Sequence, residues 1–585
     1  MRILYDSKKE KYKKPFGCSH AGEGIRMSVY IPKSVCTFSA SVFLEDDNGG
    51  TVATHTLSLD GEEDLYDIFS VTFHVEEAGL YFYYFRIFAE NSAFNLYKYG
   101  YADTNMEDGD KWQLTVVPAD YKTPKRFKGN VMYQIFPDRF AQMGEPDLKD
   151  KLQPFWIHEN KHETPAFLPD DMGEILNCDF FGGNLRGIEG TLPYIKELGV
   201  STIYLNPIFK AFSNHRYDTY NYKEIDPMLG TYDDFVSLCK SAKKLGIKII
   251  LDGVFSHTGI RSIYFEDAVK NPDSPYRHWY KFESYPDKYS SWWGIKTLPD
   301  VNELSPSYID YIITGEDSVI EHWLRAGAAG FRLDVADELP DEFIALLRKR
   351  LKEINPEALL LGEVWEDASN KISYSERRRY FTGGELDSVM NYPFMNAIID
   401  FVSNKITAEE FSETVMTIVE NYPKDALDCL MNSLSTHDTY RAITRLCGMV
   451  PEDKEVRANF TFGGEVLDNA LKMFRQASFL QYILPGNPCI YYGDEIGMQG
   501  FEDPFSRRFF DFENRNKKLL SYFIELGKLK NGYKDLREGK TRVYAKDDDT
   551  VIVERGKLKA AVKRQGTLKK PENALYFKNG CALYK

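Results

Sequence analysis

Five short apolar runs in the middle of the chain end in polar or charged groups: NPI (206–208), LDGVFSH (251–257), GFRLDV (330–335), LLGEVW (360–365) and STHDT (435–439). If each run is a strand, they deliver Asp252, Arg332, Asp334, Glu363, His437 and Asp438 to one face of one sheet. Asp334 and Glu363 lie 29 residues apart, the length of one strand–helix unit, and so belong at the ends of adjacent strands. Carboxyls on neighbouring strand ends can stand about 5–5.5 Å apart, where one protonates a leaving oxygen while the other attacks the carbon it leaves. Glycosidic bonds are cleaved by such a pair, and Asp438 supplies a third acid. Arg332 and Asp334 alternate on their strand and face the same side. Three crowded acids repel, so one is expected to hold a proton while Arg332 helps keep Asp334 ionised. An isolated Arg-x-Asp reads best as a structural ion pair. Matching acids at two further strand ends favour chemistry instead.

Around this set stand residues of more ordinary meaning. His257 and His437 each sit beside a strand-end acid, which suits hydrogen bonds to sugar hydroxyls. Asp252 divides equally between shaping the site and bridging the barrel rim. Trp292, Trp293 and Trp365 have flat faces on which sugar rings stack, although packing is the default role of tryptophan.

The elements that must position these residues follow from the rhythm of the chain. Residues 1–122 carry strand-like runs such as CTFSASVFL and LYFYYFRIFA, separated by turn signals, and read as an N-terminal β-sandwich. From about residue 123 to 535 strands alternate with helices. VMYQIF, STIYLNP, IKIILD, GFRLDV, ALLLGEV, DSVMNY, CLMNSL and PCIYYG make eight strand candidates, the pattern of an α/β (β/α)8 TIM barrel. Thr231 and Asp234 form a candidate capping box, Gly246 a helix end, and Pro340 a first helical turn. The long stretch after strand three, about 258–304, reads as a small excursion walling the cleft, and 536–585 as a small C-terminal β domain. Barrel chemistry sits at the C-terminal strand ends, where the polar patches fall.

Bulk properties narrow the partners. A net charge of −15 argues against nucleic acid. The eight cysteines form no CxxC or Cys/His cluster, so neither a disulfide framework nor a zinc site is expected. MRILYDSKKEKYKK has no apolar core of a signal peptide, and no run of about twenty apolar residues exists to span a bilayer. The expectation is a soluble cytoplasmic protein without a membrane partner.

The patches, together with VMYQIFPDRF (131–140), DFFGGNLRGI (179–188), SNHRYDT (213–219), STHDTYR (435–441) and YYGDEIGM (491–498), resemble the α-amylase family. The resemblance is closest to its neopullulanase, cyclomaltodextrinase and maltogenic amylase branch. It implies a retaining α-glucan hydrolase acting on α-1,4 and possibly α-1,6 bonds of maltooligosaccharides, cyclodextrins or pullulan, with transfer to sugar acceptors open. It further implies Asp334 as nucleophile, Glu363 as general acid/base and Asp438 as transition-state stabiliser. Arg332, His257 and His437 would hold the central glucose, Tyr217 would stack beneath it, and Asp252 would shape the site. Asp503 and Arg507 match donor-side contacts, and Val335 and Trp365 would face the acceptor. The N-terminal sandwich would bind carbohydrate or build a homodimer. No cofactor is implied as required, and calcium stays open, because Ser256 replaces the Asn that supports it in relatives. TLPDVN (297–302) replaces the usual MPKLN and blurs the branch towards other intracellular amylases and α-glucosidases. The alternatives are an oligo-1,6-glucosidase or other exo-α-glucosidase, a general intracellular α-amylase, and a barrel kept only as a scaffold.

Overall fold

In the computed structural model, which describes residues 2–90 and 92–585, the apolar runs form eight parallel strands. They are β1 Val131–Ile135, β2 Val200–Leu205, β3 Lys248–Gly253, β4 Gly330–Leu333, β5 Leu359–Gly362, β6 Ser388–Val389, β7 Met431–Ser433 and β8 Asn487–Tyr491. Their hydrogen-bonded order is β6-β5-β4-β3-β2-β1-β8-β7. A parallel bridge between Met390 and Met431 joins the two edges, so the sheet closes on itself. Strands covered on both faces need apolar residues at nearly every position, which is why these runs are continuous rather than alternating. Met132, Tyr204, Ile250, Leu361, Met431 and Cys489 pack together as buried core from six of the strands.

The connecting helices begin and end where local chemistry dictates. α1, Leu185–Glu197, starts at Asn184, whose side chain accepts from the Gly187 N–H. α2, Tyr232–Lys244, opens with both halves of the Thr231–Asp234 capping box in place, and Gly246 follows with φ of +72°. α3, Asp341–Ile354, has Pro340 at its N-cap, one position before the first helical turn. Between β3 and β4 the chain forms a short helix, Ile263–Lys270, and a hairpin pairing Phe282–Ser284 with Lys288–Tyr289.

The chain divides into two compact units. The first comprises the chain up to Lys122 with Asp367–Asp387 and Ser412–Leu427; the second comprises Thr123–Glu366, Ser388–Phe411 and Asp428–Lys585. In the first, strand Thr51–Glu63 pairs through its start with Thr37–Glu45 and through its end with Tyr66–His74. It thereby passes from one sheet of a sandwich to the other. Ile25, Val29, Val42, Phe69, Phe85 and Trp112 point into the shared core. The second unit holds the barrel and a five-stranded antiparallel sheet between Thr541 and Tyr584. Among the described residues no helix is long and apolar enough to cross a membrane.

Gly330 opens β4 with φ of +146°, and a Cβ there would meet the Leu359 carbonyl oxygen of β5 at 2.1 Å. Gly330→Ala must therefore push two core strands apart, at about 1–3 kcal/mol. Calorimetry should show a Tm several degrees lower, and an unchanged midpoint would mean that β4 does not need this close approach.

Candidate active site

The C-terminal ends of β3, β4 and β5 bring four charged side chains together. Asp252 and Arg332 are register partners on β3 and β4, and Arg332 is fully buried. Its Nη1 donates to Asp252 Oδ1 at 2.6 Å and to Asp334 Oδ1 at 2.8 Å. Its Nη2 lies 2.8 Å from Glu363 Oε2. One guanidinium thus serves three carboxylates. The Val335 N–H also donates to Glu363 Oε2, at 2.8 Å. Val335 reaches this position with φ of +40°, the left-handed region that a β-branched residue enters only under strain. The other oxygen, Glu363 Oε1, accepts from Trp365 Nε1 at 3.1 Å. Trp365 is itself held flat against Tyr392, with ring centroids 3.9 Å apart and planes within 10°.

A second group hangs from the end of β7. His437 Nε2 lies 3.1 Å from Asp438 Oδ2. Arg507 donates through Nε to the His437 carbonyl at 2.8 Å and through Nη2 to Asp438 Oδ1 at 3.2 Å. Tyr217 joins the two groups: its hydroxyl donates to Asp252 Oδ2 at 3.0 Å and contacts His437 Nε2, and its ring lies parallel to the His437 ring. Asp503 joins the group through Arg507, 2.9 Å away. His257 stands apart. Its Nδ1 is 2.9 Å from Ser256 Oγ, so the serine orients the ring, and its buried Nε2 has no hydrogen-bond partner among the described residues. Trp292 lies 5.4 Å from the His257 ring, and Trp292 and Trp293 both donate to Glu338, at 2.6 and 2.7 Å.

Two residues that sequence reasoning passed over, Tyr204 and Gln134, complete the network together with Asn206 of the NPI patch. Tyr204 donates to Asp252 Oδ2 at 2.6 Å. Gln134 Nε2 donates to Asn206 Oδ1 at 3.0 Å and lies 3.0 Å from His437 Nδ1, while Asn206 donates to both Tyr204 and Tyr217. The signal was present: Gln134 interrupts an apolar strand, and Tyr204 and Asn206 are spaced by two at the end of β2. Among the described residues no group of three or more His, Cys, Asp or Glu side chains converges as a metal set would.

This barrel, with acids at successive strand ends, has a match among known families. Residues 134–551 match the description Alpha amylase, catalytic domain. The chain belongs to the α-amylase family. It is 36% identical over 499 residues to an amylopullulanase of Thermoanaerobacter thermohydrosulfuricus, taking in 76% of this chain and 32% of that protein. It is 34% identical over 438 residues to neopullulanase 2 of Thermoactinomyces vulgaris, over 73% of this chain and 67% of that one. A solved cyclomaltodextrinase superposes with a TM-score of 0.66 at 26% identity, over 96% of this chain and 90% of that chain. The chain spans between 25% and 46% of the length of the amylopullulanases it matches.

In this α-amylase-family site three acids, Asp252, Asp334 and Asp438, are held towards neutrality. Burial pushes the Asp334 carboxyl well above the usual carboxylate range; Arg332 opposes it, and the charges of Glu363 and Asp252 add to it. Burial likewise raises Asp252, again against Arg332. Asp438 is pushed up to about 7 by burial, with Arg507 opposing and Glu363 adding. Solvent reaches 31% of the Asp438 side chain and moderates that burial, leaving the upward direction. Burial also pushes His257 down to about 3 and His437 well below its ordinary value, so both rings are neutral near pH 7.

A carboxyl raised in the folded state takes up a proton on folding between its unfolded value of 3.8 and about 7. Stability is therefore lost as pH rises through that window. Asp438→Asn removes the loss. Its Tm should exceed the parent's at about pH 8 and match it near pH 4, by calorimetry across that range. A Tm difference independent of pH would contradict the raised carboxyl.

Proposed function

We propose that the chain is a retaining α-glucan hydrolase that cleaves α-1,4 glucosidic bonds, with α-1,6 bonds as further candidates, by double displacement. The observation that carries this reading is the Arg332 guanidinium held between Asp334 and Glu363 at the ends of adjacent strands. Carboxyls that share one guanidinium stand close together, as retaining hydrolysis needs, where about 5–5.5 Å separates the pair.

In the first step Glu363 gives its proton to the glycosidic oxygen while Asp334 attacks the anomeric carbon. The C–O bond breaks with its electron pair on the leaving oxygen, and a β-glucosyl ester forms on Asp334. With the proton on Glu363, the repulsion that raises Asp334 falls, and Arg332 holds Asp334 as the carboxylate. Glu363, now anionic, keeps donors on both oxygens: Val335 N–H on Oε2 and Trp365 Nε1–H on Oε1. In the second step Glu363 takes a proton from water, the hydroxide oxygen bonds to the anomeric carbon, and Asp334 leaves as carboxylate. The product has the α configuration. A sugar hydroxyl in place of water gives transglycosylation. Asp438, Arg507 and Tyr217 would grip the hydroxyls of the reacting sugar, and the unpartnered His257 Nε2 would take another. Val335 and Trp365 would face the acceptor and Asp503 the donor side.

The matched relatives bear the names amylopullulanase, neopullulanase and cyclomaltodextrinase. On that likeness the proposed substrates are maltooligosaccharides, cyclodextrins and pullulan fragments. A cytoplasmic site of action and a homodimer through the N-terminal unit belong to the same proposal.

Anomeric NMR on γ-cyclodextrin and maltotriose tests it. The parent should release initially α-configured products, and Asp334→Asn should keep binding but lose turnover by several orders of magnitude. A β product, or near-normal turnover in Asp334→Asn, would overturn the assignment.

A further inference from the structure

The hydrogen bonds behind the acids run in one direction, which can be followed proton by proton. They start at Asp252. Its Oδ1 accepts from Arg332 at 2.6 Å, and its Oδ2 accepts from the hydroxyls of Tyr204, at 2.6 Å, and Tyr217, at 3.0 Å. A hydroxyl has one proton to give. Both tyrosines spend theirs on Asp252, so each can only accept from Asn206, which therefore turns its Nδ2 to them, at 3.3 and 3.2 Å. Asn206 Oδ1 then faces Gln134, and only the amide nitrogen of Gln134 can meet it, at 3.0 Å. The second proton on that nitrogen points at His437 Nδ1, also 3.0 Å away. Nδ1 is thus an acceptor and carries no proton.

A neutral imidazole has a single N–H. Burial keeps His437 neutral, so with Nδ1 bare the proton sits on Nε2. Nε2 lies against Tyr217 Oη, whose own proton is already spent, and 3.1 Å from Asp438 Oδ2. Both are acceptors there, so the two ends of the ring require the same tautomer. The opposite polarity would turn both tyrosine protons away from Asp252 and leave Oδ2, a buried carboxylate oxygen, without a donor. Gln134 is fully buried, and its Oε1 has no partner among the described residues. That unsatisfied oxygen is the cost of aiming both amide protons at acceptors.

We infer that Gln134 is a positioning residue: its amide fixes the His437 tautomer, so that a protonated Nε2 is presented to Asp438 and to a hydroxyl of the reacting sugar. It acts through His437 and touches no reacting atom. In the other tautomer the Nε2 lone pair would face the Asp438 oxygens, and Tyr217 would have to release Asp252 to satisfy it. Only what the tautomer serves rests on the proposed function; where the proton sits does not.

Long-range 1H–15N NMR of the full-length protein, labelled at the histidine ring nitrogens, is the test, because it reads each nitrogen as protonated or bare without substrate. His437→Asn identifies the His437 signals among those of the ten histidines. The parent should show Nδ1 bare and Nε2 protonated. Gln134→Glu puts an oxygen in place of the amide nitrogen, and that oxygen holds at most one proton. With the proton spent on Asn206 Oδ1, the remaining lone pair can be met only by Nδ1–H, so Nδ1 should become protonated. In the same variant kcat for maltotriose should fall about tenfold or more, the scale of one buried hydrogen-bonding group left mismatched. A purely structural Gln134 would lose activity without moving the proton. Nδ1 protonated in the parent, or still bare in folded Gln134→Glu, would overturn the inference, as would a protonated Nδ1 with kcat unchanged. Circular dichroism reports whether Gln134→Glu folds; if it does not, the parent spectrum decides. A parent that leaves maltotriose intact would instead overturn the proposed function, and the ring nitrogens would still report the tautomer.

Discussion

Everything at the mouth of the barrel depends on one buried cation shared among three acids. At an effective dielectric of about 20, a unit charge pair 4 Å apart is worth about 4 kcal/mol. Arg332 offers three such attractions, to Asp252, Asp334 and Glu363. The three acids also repel one another, and each loses hydration on burial. The set cannot therefore be fully ionised at no cost. It relaxes by keeping a proton, and the raised carboxyls of Asp252 and Asp334 record that pressure. A site proposed to hold an acid and a nucleophile at the same pH would be built by this arithmetic rather than by placing each residue in its own environment.

The barrel makes the sharing possible. Asp252 and Arg332 are directly opposite in register, so a slip of one residue on β3 or β4 would turn one of them away from the cluster. Gly330 lets β4 approach β5 closely enough for Arg332 to reach Glu363. After Asp334 the main chain turns through the left-handed Val335, which aims its N–H at Glu363 Oε2. Strain is stored beside the chemistry, where the surrounding hydrogen bonds determine the backbone completely. The two oxygens of Glu363 consequently differ: Oε2 faces fixed donors, and Oε1 faces only the half-exposed Trp365. In the proposed reaction a leaving oxygen would approach Oε1.

How much of this was legible in the sequence depends on the kind of residue. The eight strands were legible because parallel strands must be apolar on both faces, and their ends because polar groups break those runs. The placement of Asp334, Glu363 and Arg332 at adjacent strand ends was legible because their spacing follows the strand–helix repeat. The roles of Gln134 and Tyr204 were not, since a polar group inside a barrel declares itself only when its partners across the ring are known. Ser256 was read only as a missing asparagine; its hydroxyl against His257 Nδ1 is a contact that no spacing reveals. The segments 367–387 and 412–427 read as barrel by position, yet they belong to the first unit. Sequence order carries no information about which core a long loop joins.

The charge state of the cleft also bears on what it can accept. Acids crowd its floor, His257 and His437 are neutral, and the chain carries −15 overall, so anionic ligands are repelled. A cationic ligand would be attracted, but it would stabilise the ionised acids and draw off the proton that the reaction needs. A neutral sugar disturbs neither balance in its ground state. On the proposed path to a glucosyl ester the anomeric carbon would gain positive charge, and only then would the field of Asp334 and Asp438 act on the substrate. Interactions that appear in the transition state and not before are the ones that accelerate a reaction. The same crowding that makes the buried acids expensive in the resting protein is therefore relieved by the species the proposed reaction must pass through.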